Sequence, residues 1–207
     1  QYFKIIHDLN QNFKNISKIQ FAGGELLYQK DFYKVLNMLS FHPNAENIEL
    51  TFHTNFNANF DIEKLSHLLS NFKKSIIIIS IDGGENIYSF FRSGTWNKLE
   101  SNIEKFKKIN DTSELLGSCT TSIYQIMDIE NIISSFSKLN LNEFNASIVQ
   151  VPRYLNPSLL NHNFKKYVSD DIERSYSFTK KIPSLIKTID YIKDYTLNNL
   201  FDIKYFK

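Results

Sequence analysis

The chain has 207 residues and a single cysteine, Cys119. One thiol rules out an internal disulfide, and a secreted chain more often carries several, so the expected compartment is the cytoplasm. No apolar run approaches the roughly 20 residues that a membrane-spanning helix needs, so no membrane is expected as partner. Neither charge sign dominates: 24 basic and 22 acidic residues leave a formal net charge of +2. That balance gives no basic footprint, and nucleic acid is not an expected partner. The start, Gln1-Tyr2-Phe3-Lys4, has no signal-peptide pattern. Also missing are G-x-G-x-x-G, G-x-x-x-x-G-K-[ST] and HExxH, which excludes the dinucleotide, P-loop and HExxH zinc readings. The five histidines (His7, His42, His53, His67, His162) show no close-pair spacing, and no metal site is expected from them.

What is present is an alternation of short apolar runs and helix-period segments. Tyr2, Ile6, Leu9 and Phe13 fit a helix face, and Lys18 to Phe21 reads as a short strand. Phe32, Val35, Leu36 and Leu39 then fall at i, i+3, i+4, i+7. Ile48, Leu50 and Phe52 alternate in a second strand. Asp61 is placed to cap a helix carrying Ile62, Leu65, Leu69 and Phe72. Four successive isoleucines, Ile76 to Ile79, make a third strand of the kind buried on both faces of a parallel sheet. Trp96, Leu99, Ile103 and Phe106 mark a helix, Glu114 to Thr121 a strand. Asp128 is placed to cap a helix with Ile129, Ile132, Ile133 and Phe136, and Ala146 to Val151 is the fifth strand. Five strands alternating with helices predict βα repetition and a parallel sheet. From Pro157 the pattern changes, and a helix is expected near Pro183 with Leu185, Ile189 and Ile192 on one face.

Parallel α/β sheets bind ligands outside the carboxyl ends of their strands. Those ends are Gly23-Gly24-Glu25, Thr54-Asn55, Ser80 to Asp82, Ser118 to Thr121 and Gln150. Parity places Glu49, Thr51, His53 and Asn55 on one strand face, and Ile76, Ile78, Ser80 and Asp82 on one face of the next. Gly23-Gly24 reads either as a backbone cradle for a small polar group, with Glu25 nearby for a cation, or as a tight strand-to-helix turn. Asp82-Gly83-Gly84 is open to the same two readings. Cys119 within its strand reads as a buried, inert thiol, and Arg92 near Trp96 as an anion ligand or a surface pair.

Taken in order, Ile19-Gln-Phe-Ala-Gly-Gly-Glu25, Leu50-Thr-Phe-His-Thr-Asn55 and Ile79-Ser-Ile-Asp-Gly-Gly84 resemble the radical S-adenosylmethionine superfamily. Tyr88 to Arg92, Gly94, Trp96, Asn102-Ile103 and Val151 to Pro157 extend the likeness toward members with a C-terminal twitch or SPASM domain. The resemblance implies an α/β fold, a parallel (β/α)6-type partial barrel over residues 1–156 with its first βα unit incomplete. Residues 157–207 would be a helical extension or a linker to an absent C-terminal domain. It implies S-adenosylmethionine as cofactor, with its amino group at Gly23, Gly24 and Glu25 and its ribose near Asn55, Ser80 and Asp82. It names no catalytic side chain.

Three departures accompany the likeness. The family's cluster motif is three closely spaced cysteines upstream of the glycine turn, and none of the 22 residues before Gly23 is cysteine. Leu26 stands where proline is usual, and no cysteine-rich domain follows Pro157. A [4Fe–4S] cluster is therefore expected in a full-length parent but is not bindable by this chain, which alone is expected to be inactive. Truncation and degeneration both account for the missing cysteines. The first functional reading is the core of an enzyme that cleaves S-adenosylmethionine to a 5′-deoxyadenosyl radical and modifies a substrate, a peptide or protein among the candidates. The alternatives are a cluster-less pseudoenzyme acting as a binding module and a non-radical αβ-barrel enzyme.

Overall fold

A computed structural model describes residues 13–179 and 183–198. The helix expected from Tyr2 onward lies outside these residues, apart from Phe13, which opens a short 3-10 turn. The strands are β1 (Lys18–Phe21), β2 (Glu49–Thr54), β3 (Lys74–Ser80), β4 (Ser113–Thr121) and β5 (Glu143–Ile148). They follow one another in sequence order across one sheet. β1 and β2, β2 and β3, and β4 and β5 pair in parallel, as the alternation of strand and helix periods requires. The helices are α1 (Lys30–Ser40), α2 (Ile62–Leu69), α3 (Tyr88–Phe91), α4 (Trp96–Ile109), α5 (Ile123–Ile126), α6 (Ile129–Leu139), α7 (His162–Ser175) and α8 (Pro183–Asn198). Among the described residues no helix is long and apolar enough to cross a membrane.

The contacts divide the chain into two compact units, residues 1–80 with 97–115 and residues 81–96 with 116–207. In the first unit β1, β2 and β3 carry two unlike faces. Leu50, Phe52, Ile77 and Ile79 are fully buried. Each contributes about 1.5–3 kcal/mol by leaving water. Phe32 of α1 seals this face, its ring 5.3 Å from both Phe21 and Phe52. The register sets Thr51 beside Ile76 and His53 beside Ile78 on the other face, and all four are only half-buried. The isoleucine run is thus covered on one side and partly open on the other, rather than buried on both as expected. α4 ties down the chain leaving β2: Asn102 donates to the carbonyls of Phe56 at 2.9 Å and Ala58 at 3.2 Å.

In the second unit β4 and β5 are joined by close packing at Gly117. A Cβ there would come within 2.4 Å of the Phe144 ring, which itself stacks on Phe136 of α6 at 4.9 Å. β5 runs from Glu143 to Ile148, three residues earlier at each end than expected. The apolar residues Val149 and Val151 suggested the later span. Phe144 fills the space over Gly117 instead, and this sets the register Gly117 to Phe144. α7 falls in the stretch expected as a helical extension or linker, where no helix before Pro183 was placed. Its sequence, HNFKKYVSDDIERS, buries only Val168, Asp171, Ile172 and Ser175, too few apolar residues to show a period.

Candidate functional site

Extending the β1–β2 register past Phe21 and Phe52 brings the Gly23-Gly24-Glu25 turn to the level of Thr54 and Asn55. The Glu25 carboxylate fixes it there. One oxygen accepts from the Thr54 hydroxyl and from the Leu27 amide at 3.2 Å, the other from the Asn55 amide at 2.6 Å. This is a carboxylate spent on its own chain, tying the loop after β1 to the end of β2 with charge-assisted bonds. It is not a side chain held out for a cation.

The glycines now separate by what surrounds them. Gly23 has φ +153°, a backbone that side-chain-bearing residues rarely adopt. Gly83 and Gly84 are explained by packing. A Cβ on Gly83 would meet the Ile87 side chain at 3.0 Å, and one on Gly84 would meet the backbone of Asn131 at 2.9 Å and Ile132 at 3.0 Å in α6. Gly24 has neither reason. Among the described residues its nearest neighbour beyond the chain on either side is the Gln29 amide nitrogen at 3.8 Å, an ordinary contact. The fold leaves space at Gly24 that a side chain would take up.

Asn55 and Ser80 belong to the same unit. The pairing of His53 with Ile78 and of Thr54 with Ile79 puts Asn55 level with Ser80, one step beyond β2 and at the last residue of β3. Both are half-buried and share the partly open face. The Asn55 side-chain oxygen accepts from the Asn57 amide at 2.9 Å, which shapes the turn after β2.

Asp82 lies in the second unit. One carboxylate oxygen accepts from the Thr120 amide at 2.8 Å and the other is ion-paired to Arg92. Gln125 of α5 donates to its carbonyl at 2.8 Å and, with Ser122, forms a capping box. Asp82 therefore locks the end of its loop to β4. Arg92, read as an anion ligand or a surface pair, is ion-paired to Asp82. Cys119 is fully enclosed, and burial, with the nearby Asp82 charge second, pushes its thiol up to about 12. It is inert, as expected. Gln150, taken as the end of the fifth strand, lies beyond β5 and bonds Tyr195 at 2.9 Å. Among the described residues no group of three or more His, Cys, Asp or Glu could hold a metal ion. The residues present do not fit a [4Fe–4S] cluster.

The structure of anSMEcpe with bound AdoMet superposes with a TM-score of 0.59, covering 98% of this chain and 55% of that chain at 19% identity. The fold is that of radical S-adenosylmethionine enzymes. TsrM from Kitasatospora setae, a radical S-adenosylmethionine methyltransferase with cobalamin and a [4Fe-4S] cluster bound, matches with a TM-score of 0.52 and 9% identity over 72% of this chain and 31% of that chain. Streptococcus suis SuiB bound to precursor peptide SuiA matches at 0.52 with 15% identity, over 83% and 39% of the two chains. The chain spans about half the length of the anSMEcpe structures it matches. No protein-family model and no curated protein sequence matches it.

Proposed function

We propose that this chain is the cofactor-holding core of a radical S-adenosylmethionine enzyme whose substrate is a peptide. The observation that carries this reading is the space kept open at Gly24, with the turn braced by Glu25 against Thr54 and Asn55. The backbone of Gly23-Gly24 receives the amino group of the cofactor's methionine, and Glu25 positions that backbone. Asn55 and Ser80 face the ribose from adjacent strand ends. Asp82, its carboxylate held by Arg92 and Thr120, orders its own loop within the second unit. This chain's residues bind and orient the cofactor; a [4Fe–4S] cluster, which would supply the electron that opens it, would need thiolates other than those of this chain.

Support for a peptide substrate comes from the complexes of anSMEcpe with Cp18Cys peptide and of SuiB with SuiA. Without a cluster iron to chelate the methionine, hydrogen bonds contribute about 0.5–1.5 kcal/mol each, so affinity should be weak, about millimolar. Calorimetric titration of S-adenosylmethionine into the wild-type chain and Gly24→Val tests this. The fold accepts a side chain at Gly24, so the variant should melt with the wild type while binding at least tenfold more weakly. Equal affinity would remove the Gly24 cradle. Micromolar binding without a cluster would favour the binding-module reading.

A further inference from the structure

Among the described residues β5 is the last strand of the sheet, and its central sequence, Phe144-Asn145-Ala146-Ser147-Ile148, contains no charge and no proline. Natural edge strands normally carry lysine, proline or a bulge that stops another strand from pairing with them. Here protection comes from α8. Ser184 accepts from the Phe144 amide at 3.0 Å, and Thr188 donates to the Phe144 carbonyl at 2.9 Å. Seven residues further on, Tyr195 accepts from Gln150 at 2.9 Å and from Asn156 at 3.2 Å. Ser184, Thr188, Tyr191 and Tyr195 stand at i, i+4, i+7 and i+11, one stripe of a helix. Leu185, Ile189 and Ile192 of the same helix are buried.

Ser184 and Thr188 of this stripe thus meet backbone groups that a sixth strand would otherwise satisfy, while Tyr195 holds the side chains of Gln150 and Asn156. Val149 donates its amide to Thr121 of β4, whereas Phe144 turns both its groups to α8. Backbone groups alternate sides along a strand, so Ala146 and Ile148 aim theirs the same way as Phe144. At Ala146 the cover is incomplete: a cavity remains between strand and helix, lined in part by Ala146, Lys187 and Tyr191.

We propose that this stripe is a strand surrogate, and that the partner it excludes is β5 of a second copy of the chain. The edge is self-complementary. A two-fold axis through Ala146 pairs Phe144 with Ile148 of the other copy antiparallel, brings the outward amides and carbonyls together, and sets Asn145 opposite Ser147 with no charge opposed. Nothing in the strand itself resists that pairing.

The test uses the full chain with Ser184→Ala and Thr188→Val, which remove both bonds to Phe144 and keep the helix volume. Amide exchange at Phe144 should rise about tenfold as its local protection is lost. Light scattering should then show concentration-dependent self-association that the wild type lacks at the same concentration. Adding Asn145→Lys and Ser147→Lys to this variant sets like charges directly opposite each other and should abolish the association. Circular dichroism confirms that each variant is folded. Faster exchange at Phe144 with no self-association would overturn the proposal. So would association that the two lysines leave unchanged, since the contact would then lie elsewhere.

Discussion

Glu25 and Asp82 are both carboxylates at strand ends, and the sequence presents both as candidate ligands. Both are turned inward to the protein, one onto Thr54 and Asn55, the other onto Arg92 and Thr120. Partners so distant in sequence have no local signature, so these roles could not be read from the motifs. Packing reasons for Gly83, Gly84 and Gly117 were equally hidden, because each depends on a neighbour 4 to 48 residues away or on the start of a later helix. The inertness of Cys119 was legible, because a cysteine inside a strand of a covered sheet is enclosed. Its linkage to stability has a definite sign. The folded thiol ionises near 12 and the ordinary thiol at 9.0, so its contribution is complete below pH 9 and is lost as pH rises toward 12. Over that range wild type should lose about 1.4 kcal/mol per pH unit relative to Cys119→Ala, measured by urea unfolding of both. Parallel pH profiles would show that the thiol is not enclosed.

At the scale of elements, the first four strands fell close to where their apolar residues put them, β1 at Lys18–Phe21 above all, whereas β5 did not. α1, α4 and α6 followed their apolar spacing. α2 stops at Leu69, short of Phe72, whose ring is still buried in the turn that follows. The two expected caps differ. Asp61 accepts from the Lys64 amide at 2.9 Å, whereas Asp128 makes no capping bond and binds the Asn131 side chain at 2.7 Å. Sequence position alone does not reveal that choice, because the first backbone amides of the helix and a neighbouring amide side chain compete to donate to the same carboxylate oxygen. Asp61→Ala should therefore cost about 1 kcal/mol, the usual worth of a cap. Asp128→Ala should cost clearly less. Thermal unfolding of the two variants beside the wild type measures the difference, and equal losses would contradict the assigned cap geometry.

For the molecule as a whole, the alternation of periods was sufficient to give a parallel α/β sheet, and the ordered motifs at its strand ends gave the fold family. The α8 hydroxyl stripe was invisible beforehand, because it becomes meaningful only once β5 is known to be an edge. The central claim is that the strand ends of the first unit hold S-adenosylmethionine. Amide chemical shifts of the isotope-labelled chain, followed during titration with S-adenosylmethionine, test that most directly. Saturable shifts are expected at Gly23, Gly24, Asn55 and Ser80, largest at the glycine turn, and should disappear in Gly24→Val. Shifts confined to other parts of the chain, or unaltered by that substitution, would contradict it.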